Sequence, residues 1–286
     1  MIRLPALLAS IMTAAAVLAA QSQYPIFSSK VEAVRLDVLV TEDGKPVRGL
    51  GAADFEIFDN GVRQSVDIVS FEQLPLNVVL TFDLSASLVG ERLENLRAAS
   101  HAVVDGLKPD DQAALVLFNT GMSVNPGLTS NTRAVKAAID RAEPSGDTCL
   151  VDASFAGMMV AESALGRGLV IVFSDGLDTV SWLRPKAVLD AARRADAVVY
   201  AVSAGLTRRA EFLGDLTEQT GGRLFEIEST HGLDAVFLEV LDEFRQRYLV
   251  SYSPAGVPQA GWHQVTVRVK GRNAAVRARP GYQAGQ

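Results

Sequence analysis

Between Val78 and Arg247 the chain alternates short apolar, β-branched runs with longer stretches of helical periodicity, and few folds accommodate that order. Strands are expected at Val78–Asp83, Ala113–Phe118, Leu169–Ser174, Val198–Ser203 and Arg223–Glu226. The run Asn77–Phe82 has no polar alternation, which marks a strand covered on both faces. Helices are expected at Arg92–Gly106, Arg133–Arg141, Leu150–Leu165, Pro185–Ala195, Arg209–Thr220 and Leu233–Arg247. Regular alternation of this kind calls for an α/β fold with a doubly wound, mostly parallel sheet. Ligands of such open sheets gather beyond the carboxyl ends of the strands.

The flanking segments are β in character. Val34, Leu36, Val38 and Val40 alternate with Arg35, Asp37 and Leu39, the period of a half-buried strand. Asp43-Gly44 and Asn60-Gly61 are hairpin-turn signals. Past Arg247 the pattern returns in Tyr248–Tyr252 and in Val265, Val267 and Val269, with a short strand expected at Ala275–Arg279. Neither flank is long enough for a core of its own. Acidic residues outnumber basic ones in 21–76, whereas residues 253–286 carry five basic residues and no acidic one. The flanks are therefore expected to join as one small antiparallel β-sandwich-like domain, with the α/β unit inserted in it. The expected boundaries are 1–20 for a signal peptide, 21–75 and 248–286 for the halves of the β-domain, and 76–247 for the inserted unit.

With 48% hydrophobic residues among 286, the chain has material for a sizeable core, so disorder is not its expected state. Arg3, the apolar stretch Leu4–Leu18 and small residues through Ala20 read as a signal peptide, too short for a comfortable membrane span. No other segment approaches about 20 uninterrupted apolar residues, so the mature chain is expected to have no membrane span. Export to the periplasm or the medium follows. Cys149 is the only cysteine, which excludes an internal disulfide, and it reads as a small buried residue. A formal charge of −6, with no basic cluster long enough to track phosphates, argues against nucleic acid as a partner.

Five side chains then stand out: Asp83, Ser85, Ser87, Thr148 and Asp175. Asp83-Leu84-Ser85-Ala86-Ser87 directly follows the first apolar run, and Asp175-Gly176 directly follows Gly168–Ser174. Carboxylate and hydroxyl oxygens without Cys or His suit a hard octahedral cation that keeps some water. Taken singly, each residue also reads as a helix cap or a turn former. Asp-x-Ser-x-Ser, a later Thr and a later Asp-Gly together resemble the metal-ion-dependent adhesion site of von Willebrand factor type A domains. Leu213–Phe225 is similar to the last helix-strand junction of that Rossmann-like fold. Asp54–Gly61 and Tyr248–Pro254 resemble pieces of the exported "VWFA-related" proteins abundant in Acidobacteria.

The resemblance implies that Ser85 and Ser87 bind the cation directly, that Thr148 does so in one of two site states, and that Asp83 and Asp175 act largely through water. Neutral direct ligands leave the cation electrophilic, so it recruits a carboxylate from a protein partner. The implied function is an exported, divalent-cation-dependent binding module without catalysis, using Mg²⁺ or Mn²⁺, with Ca²⁺ also admissible. The alternatives are a metal-dependent hydrolase on the same carboxylates and a scaffold with a vestigial site. A haloacid-dehalogenase-type phosphatase would need a carboxylate where Ser85 stands. No phosphate loop, nucleophile elbow or histidine triad is present, since His101, His231 and His263 are scattered. One departure from the family is Asp147, where Gly-Gly-Thr is common. Asp147 is expected to face solvent. Asp152 and Asp178 are weaker candidates near the cation or helix caps, and the Trp182 ring is expected to fold back on a helix rather than stand exposed.

Overall fold

The computed structural model describes residues 33–71, 74–205 and 210–285, so the expected signal peptide lies outside the described residues. The chain first lays down β1 (Val34–Glu42), β2 (Lys45–Pro46), β3 (Phe55–Asp59), β4 (Val62–Gln64) and β5 (Ile68–Phe71). The alternating segment follows: β6 (Leu76–Asp83), α1 (Glu91–Asp105), β7 (Gln112–Phe118), β8 (Met122–Val124), α2 (Thr132–Asp140) and α3 (Leu150–Ala161). It continues with β9 (Arg167–Ser174), α4 (Pro185–Ala192), β10 (Val198–Ala204), α5 (Glu211–Thr220), β11 (Leu224–Ile227) and α6 (Leu233–Arg245). After it come β12 (Tyr248–Tyr252), β13 (Gly261–Val269), β14 (Ala275–Arg277) and β15 (Gly281–Ala284).

The central sheet has the order β11-β10-β9-β6-β7-β8, parallel except for β8. Every residue of β6, β9 and β10 is buried, because helices cover both faces. Val78, Leu80 and Phe82 pack toward α1, α2 and α6, while Val79 joins the opposite core under α3, α4 and α5. That is the two-residue period of a strand serving two cores. Phe237 of α6 stacks on Phe82 at 5.8 Å between ring centroids. Gly157 lets α3 lie close on the sheet, since a Cβ there would stand 2.7 Å from Thr81 Oγ1 and 3.0 Å from Val170 Cγ1.

The flanks form two antiparallel sheets, β14-β1-β12-β5 with β2 beside β1, and β15-β13-β3-β4. Leu36, Val38, Phe55, Ile57, Val250 and Val265 share one core between them. Strand β1 runs alongside β12 from Val34↔Tyr252 to Val38↔Tyr248, so strands from either side of the α/β segment lie together. The fold class is thus the expected one.

Some element ends differ from expectation for nonlocal reasons. The helix expected over Leu150–Leu165 stops at Ala161 because the Asn77 amide donates to the carbonyls of Ala161 (3.1 Å) and Ala164 (2.9 Å). The helix expected to Ala195 stops at Ala192, and the expected start at Arg209 lies outside the described residues. The antiparallel edge strand β8 is short, and it is soon followed by Pro126, which has no N–H to donate to a ladder. The strand expected at Ala275–Arg279 ends at Arg277, and β15, a Gly-Tyr-Gln-Ala segment without strand patterning, pairs with β13.

The helix expected to reach Arg247 ends at Arg245, and Arg247 turns fully inward. Its guanidinium donates to Tyr200 Oη (3.0 Å), the Gly221 carbonyl (2.7 Å) and the Asp37 carbonyl (3.1 Å). Nearby, Arg167 at the start of β9 donates through Nε to Asp37 Oδ1 of β1 at 2.8 Å, with its Nη2 on the same oxygen. The two side chains are only 3% and 8% exposed. Removing one partner of such a pair strands the other charge, which costs about 3–5 kcal/mol. Arg167→Met should therefore lose about that much in urea unfolding, and adding Asp37→Asn should recover a large part. A loss under about 1 kcal/mol would show that this pair does not secure the junction.

Candidate metal centre

Asp83 closes β6 and Ser174 closes β9, and the two strands run in parallel register with Phe82 beside Phe173. From β6 the sheet grows one way through β7 and the other way through β9, so these strand ends sit at the topological switch point where open α/β sheets bind ligands. Asp83 is 0% exposed. Its Oδ1 accepts the Ser85 N–H at 2.8 Å, and its Oδ2 accepts the Ser174 hydroxyl at 2.6 Å. Burial pushes its carboxyl pKa upward, with a smaller push from the Asp175 charge, against the pull of its hydrogen bonds. The loop beyond it is fixed on two sides: Leu84 N–H donates to the Phe118 carbonyl (2.7 Å) and Ala86 N–H to that of Gly146 (3.0 Å).

The hydroxyls follow from that loop. Ser85 Oγ and Ser87 Oγ lie 3.1 Å apart, and the Ser87 hydroxyl donates to Asp175 Oδ1 at 2.8 Å. Thr148 enters from the loop before α3, held by Thr179, whose Oγ1 accepts the Thr148 N–H at 3.0 Å and whose N–H reaches the Thr148 carbonyl at 2.9 Å. A Cβ on Gly176 would lie 3.6 Å from Thr148 Oγ1 and 3.9 Å from Asp83 Oδ2, so these two oxygens lie on either side of one backbone position. The structure thus brings Asp83, Ser85, Ser87, Thr148 and Asp175 into one locality. Among the described residues no three of His, Cys, Asp and Glu converge as a metal-binding group.

Several neighbours have other duties. Asp147 is exposed, with its N–H on Thr120 Oγ1 at 2.9 Å. Asp178 Oδ1 accepts Val151 N–H (3.2 Å) in the first turn of α3 and the Ser181 hydroxyl (2.5 Å). Asp152 is buried and accepts the N–H groups of Trp182 (2.9 Å) and Leu183 (2.8 Å). The expectation that the Trp182 ring folds back is wrong: it is 94% exposed, on a backbone whose N–H is held by Asp152. Cys149 is buried, and burial with the charges of Asp152, Asp178 and Asp83 pushes its thiol up to about 11, far from a reactive thiolate. His263 is a core residue whose Nδ1 meets Asp59 Oδ1 at 2.7 Å, and His101 and His231 lie beside Asp140 and Glu91.

Sequence reasoning missed two participants. Ser174 bonds Asp83 directly, and its place at the end of an apolar strand was the available signal. Arg92 donates to Asp175 Oδ2 at 3.1 Å while staying half exposed, and Asp175's side chain is 1% exposed. A cation in the first turn of a helix opposes the helix dipole, so an Arg there invites a search for its carboxylate.

The von Willebrand factor type A domain model matches residues 77–238. Inter-alpha-trypsin inhibitor heavy chain H2 of Mus musculus is 26% identical over 146 residues, which cover 46% of this chain and 15% of that one. Heavy chain H4 of Bos taurus is 26% identical over 176 residues, covering 55% and 19%. The chain thus spans less than a fifth of the length of these relatives. Among solved structures, proximal thread matrix protein 1 of the mussel byssus, with a zinc-occupied MIDAS motif, superposes with a TM-score of 0.54 at 19% identity, over 65% of this chain and 49% of that one. A von Willebrand factor type A protein from Catenulispora acidiphila gives 0.53 at 14% identity, over 81% and 72%. At such identities the two structures speak to the fold. Matched over more than half its length, this chain belongs to the von Willebrand factor type A family.

Proposed function

We propose that the protein is an exported, divalent-cation-dependent protein-binding module, periplasmic or secreted and of the "VWFA-related" type, and not an enzyme. The observation that carries this reading is the convergence of Ser85, Ser87 and Thr148 hydroxyls with the Asp83 and Asp175 carboxylates at the switch point of the sheet. The donor set fits the cation: it is all oxygen, and its buried carboxylate Asp83 is held above the usual carboxylate pKa by burial. Ser85, Ser87 and Thr148 would be the protein's direct ligands, with Asp83 and Asp175 supplying charge behind them. The bound ion, Mg²⁺ or Mn²⁺ with Ca²⁺ also compatible, would supply a Lewis-acidic position for a partner's Asp or Glu. Ser87 and Arg92 keep Asp175 oriented, and exposed Asp147 leaves the direct ligands neutral. Residues 76–247 would form the binding unit, with 21–75 and 248–286 as its support. No helix among the described residues is long and apolar enough to cross a membrane. Pull-downs from cell-envelope extract with Mg²⁺ or with EDTA test the function itself, and identical partner lists would sink it.

The site also bears on stability. Asp83's folded pKa lies above its unfolded value, so its ionised form weighs against the folded, metal-free chain. The stability contributed by its protonated form is present in full below the unfolded carboxylate pKa and is lost as pH rises through the raised folded value. At neutral pH, Asp83→Asn should therefore melt higher than the metal-free wild type. Mg²⁺ should raise the wild-type Tm, by about 2.7 kcal/mol of added stability at a hundredfold excess over Kd, and leave the variant unmoved. Thermal scans with EDTA and with Mg²⁺ check both statements, and a variant that melts lower without metal contradicts the first.

Binding is read separately. Calorimetry should give a micromolar-to-millimolar Mg²⁺ or Mn²⁺ Kd, an order-of-magnitude expectation for a site with few ligands. Asp83→Ala should abolish it with the circular dichroism spectrum preserved. Unchanged binding in that variant would remove Asp83 from the site.

A further inference from the structure

The loop after Asp175 presents an indole to solvent and holds its backbone still to do so. Trp182 is 94% exposed, whereas the other tryptophan, Trp262, is 38% exposed and lies under the Arg193 guanidinium at 5.0 Å. Asp152, itself 7% exposed, uses both oxygens on the N–H groups of Trp182 and Leu183. The Ser181 hydroxyl receives the N–H groups of Val151 (3.1 Å) and Asp152 (3.2 Å), and Thr179 bonds the backbone of Thr148. The indole thus hangs from the same helix start that carries Thr148. Asp152 is four residues from Thr148, about one helical turn.

Three more apolar side chains stand exposed on the loops that bear the site: Leu177 (42%), Leu183 (38%) and Val89 (60%). The loop's carboxylates are engaged with its own groups and with Ser87 and Arg92, while Arg184 is exposed and makes no ion pair among the described residues. Arg92 is 55% exposed beside Asp175. An exposed Trp on a fixed backbone loses little freedom on binding and offers about 150–250 Å² of contact, which is why such residues anchor interfaces. On that loop the unpaired Arg184 guanidinium complements an acidic partner.

We propose that Trp182 and its loop form an apolar anchor beside the metal position, and that the partner is an acidic polypeptide segment with an aromatic or aliphatic side chain next to the metal-seeking carboxylate. This rests on the metal-site reading and adds the neighbour that the partner's Asp or Glu must have. Trp182 itself does not bind the ion; it selects what arrives with the carboxylate.

The test pans the full chain, loaded with Mn²⁺, against a peptide-display library with one fixed Asp and randomised neighbours. Mn²⁺ uptake by wild type and Trp182→Ala is read separately by electron paramagnetic resonance. The expected result is enrichment of aromatic or aliphatic residues beside the Asp, in peptides that EDTA releases. Their affinity should fall at least about tenfold in Trp182→Ala, while its Mn²⁺ uptake matches wild type. Selected peptides without that neighbour preference, equal affinity for Trp182→Ala, or no Mn²⁺-dependent binder would overturn the proposal with the metal reading intact. Binding of anionic phospholipid vesicles that needs Trp182 and survives EDTA would overturn it in favour of a membrane surface. Failure of wild type to take up Mn²⁺ would instead remove the reading beneath it.

Discussion

Asp83 holds one oxygen on the Ser85 N–H and the other on the Ser174 hydroxyl, joining the ends of two neighbouring strands, and it is fully buried. A carboxylate so placed is costly when ionised, and its raised pKa records that cost. The surrounding residues are arranged around that charge. Ser85 and Ser87 stand in the loop that Asp83 turns, Asp175 follows Ser174, and Thr148 is brought in from the start of α3. A cation beside these oxygens would turn the burden on Asp83 into affinity. With a cation bound there, binding function and metal-free stability would oppose one another at this residue.

The opposite end of the sheet is held as firmly. Arg167 and Arg247 tie β9 and the end of α6 to Asp37 of β1, and Arg245 reaches Asp111, whose other oxygen receives the Leu76 N–H at the start of β6. Charges at this junction are buried but paired and hydrogen-bonded, so they fix position more than they add stability. With its strands secured at their amino ends, the sheet presents the carboxyl-end loops from a rigid base. Rigidity there is what a site assembled from three separate loops requires.

Much of this was legible in the residues. The uninterrupted run before Asp83 announced a strand covered on both faces, and the alternation around it announced the parallel sheet. Asp83, Ser85 and Ser87 were visible because they leave that strand together. Thr148 was not legible from its own surroundings and came only with the family resemblance. Contacts between distant residues stayed hidden. Nothing local says that Asn77 ends α3 at Ala161, that Arg92 meets Asp175, or that Asp152 takes the backbone N–H of an exposed Trp182. Strand β15 was missed because its pairing with β13, and not its composition, makes it a strand.

Asp83, Ser85, Ser87, Thr148 and Asp175 are proposed to make one cation position. Anomalous diffraction from crystals grown with Mn²⁺ tests it without reference to partner or activity. The metal-site reading predicts a peak within about 2.0–2.6 Å of the Ser85 and Ser87 hydroxyls, with Asp83 and Asp175 behind it. Mn²⁺ bound elsewhere on the chain, with the Ser87–Asp175–Arg92 contacts unchanged and no peak between them, would contradict it.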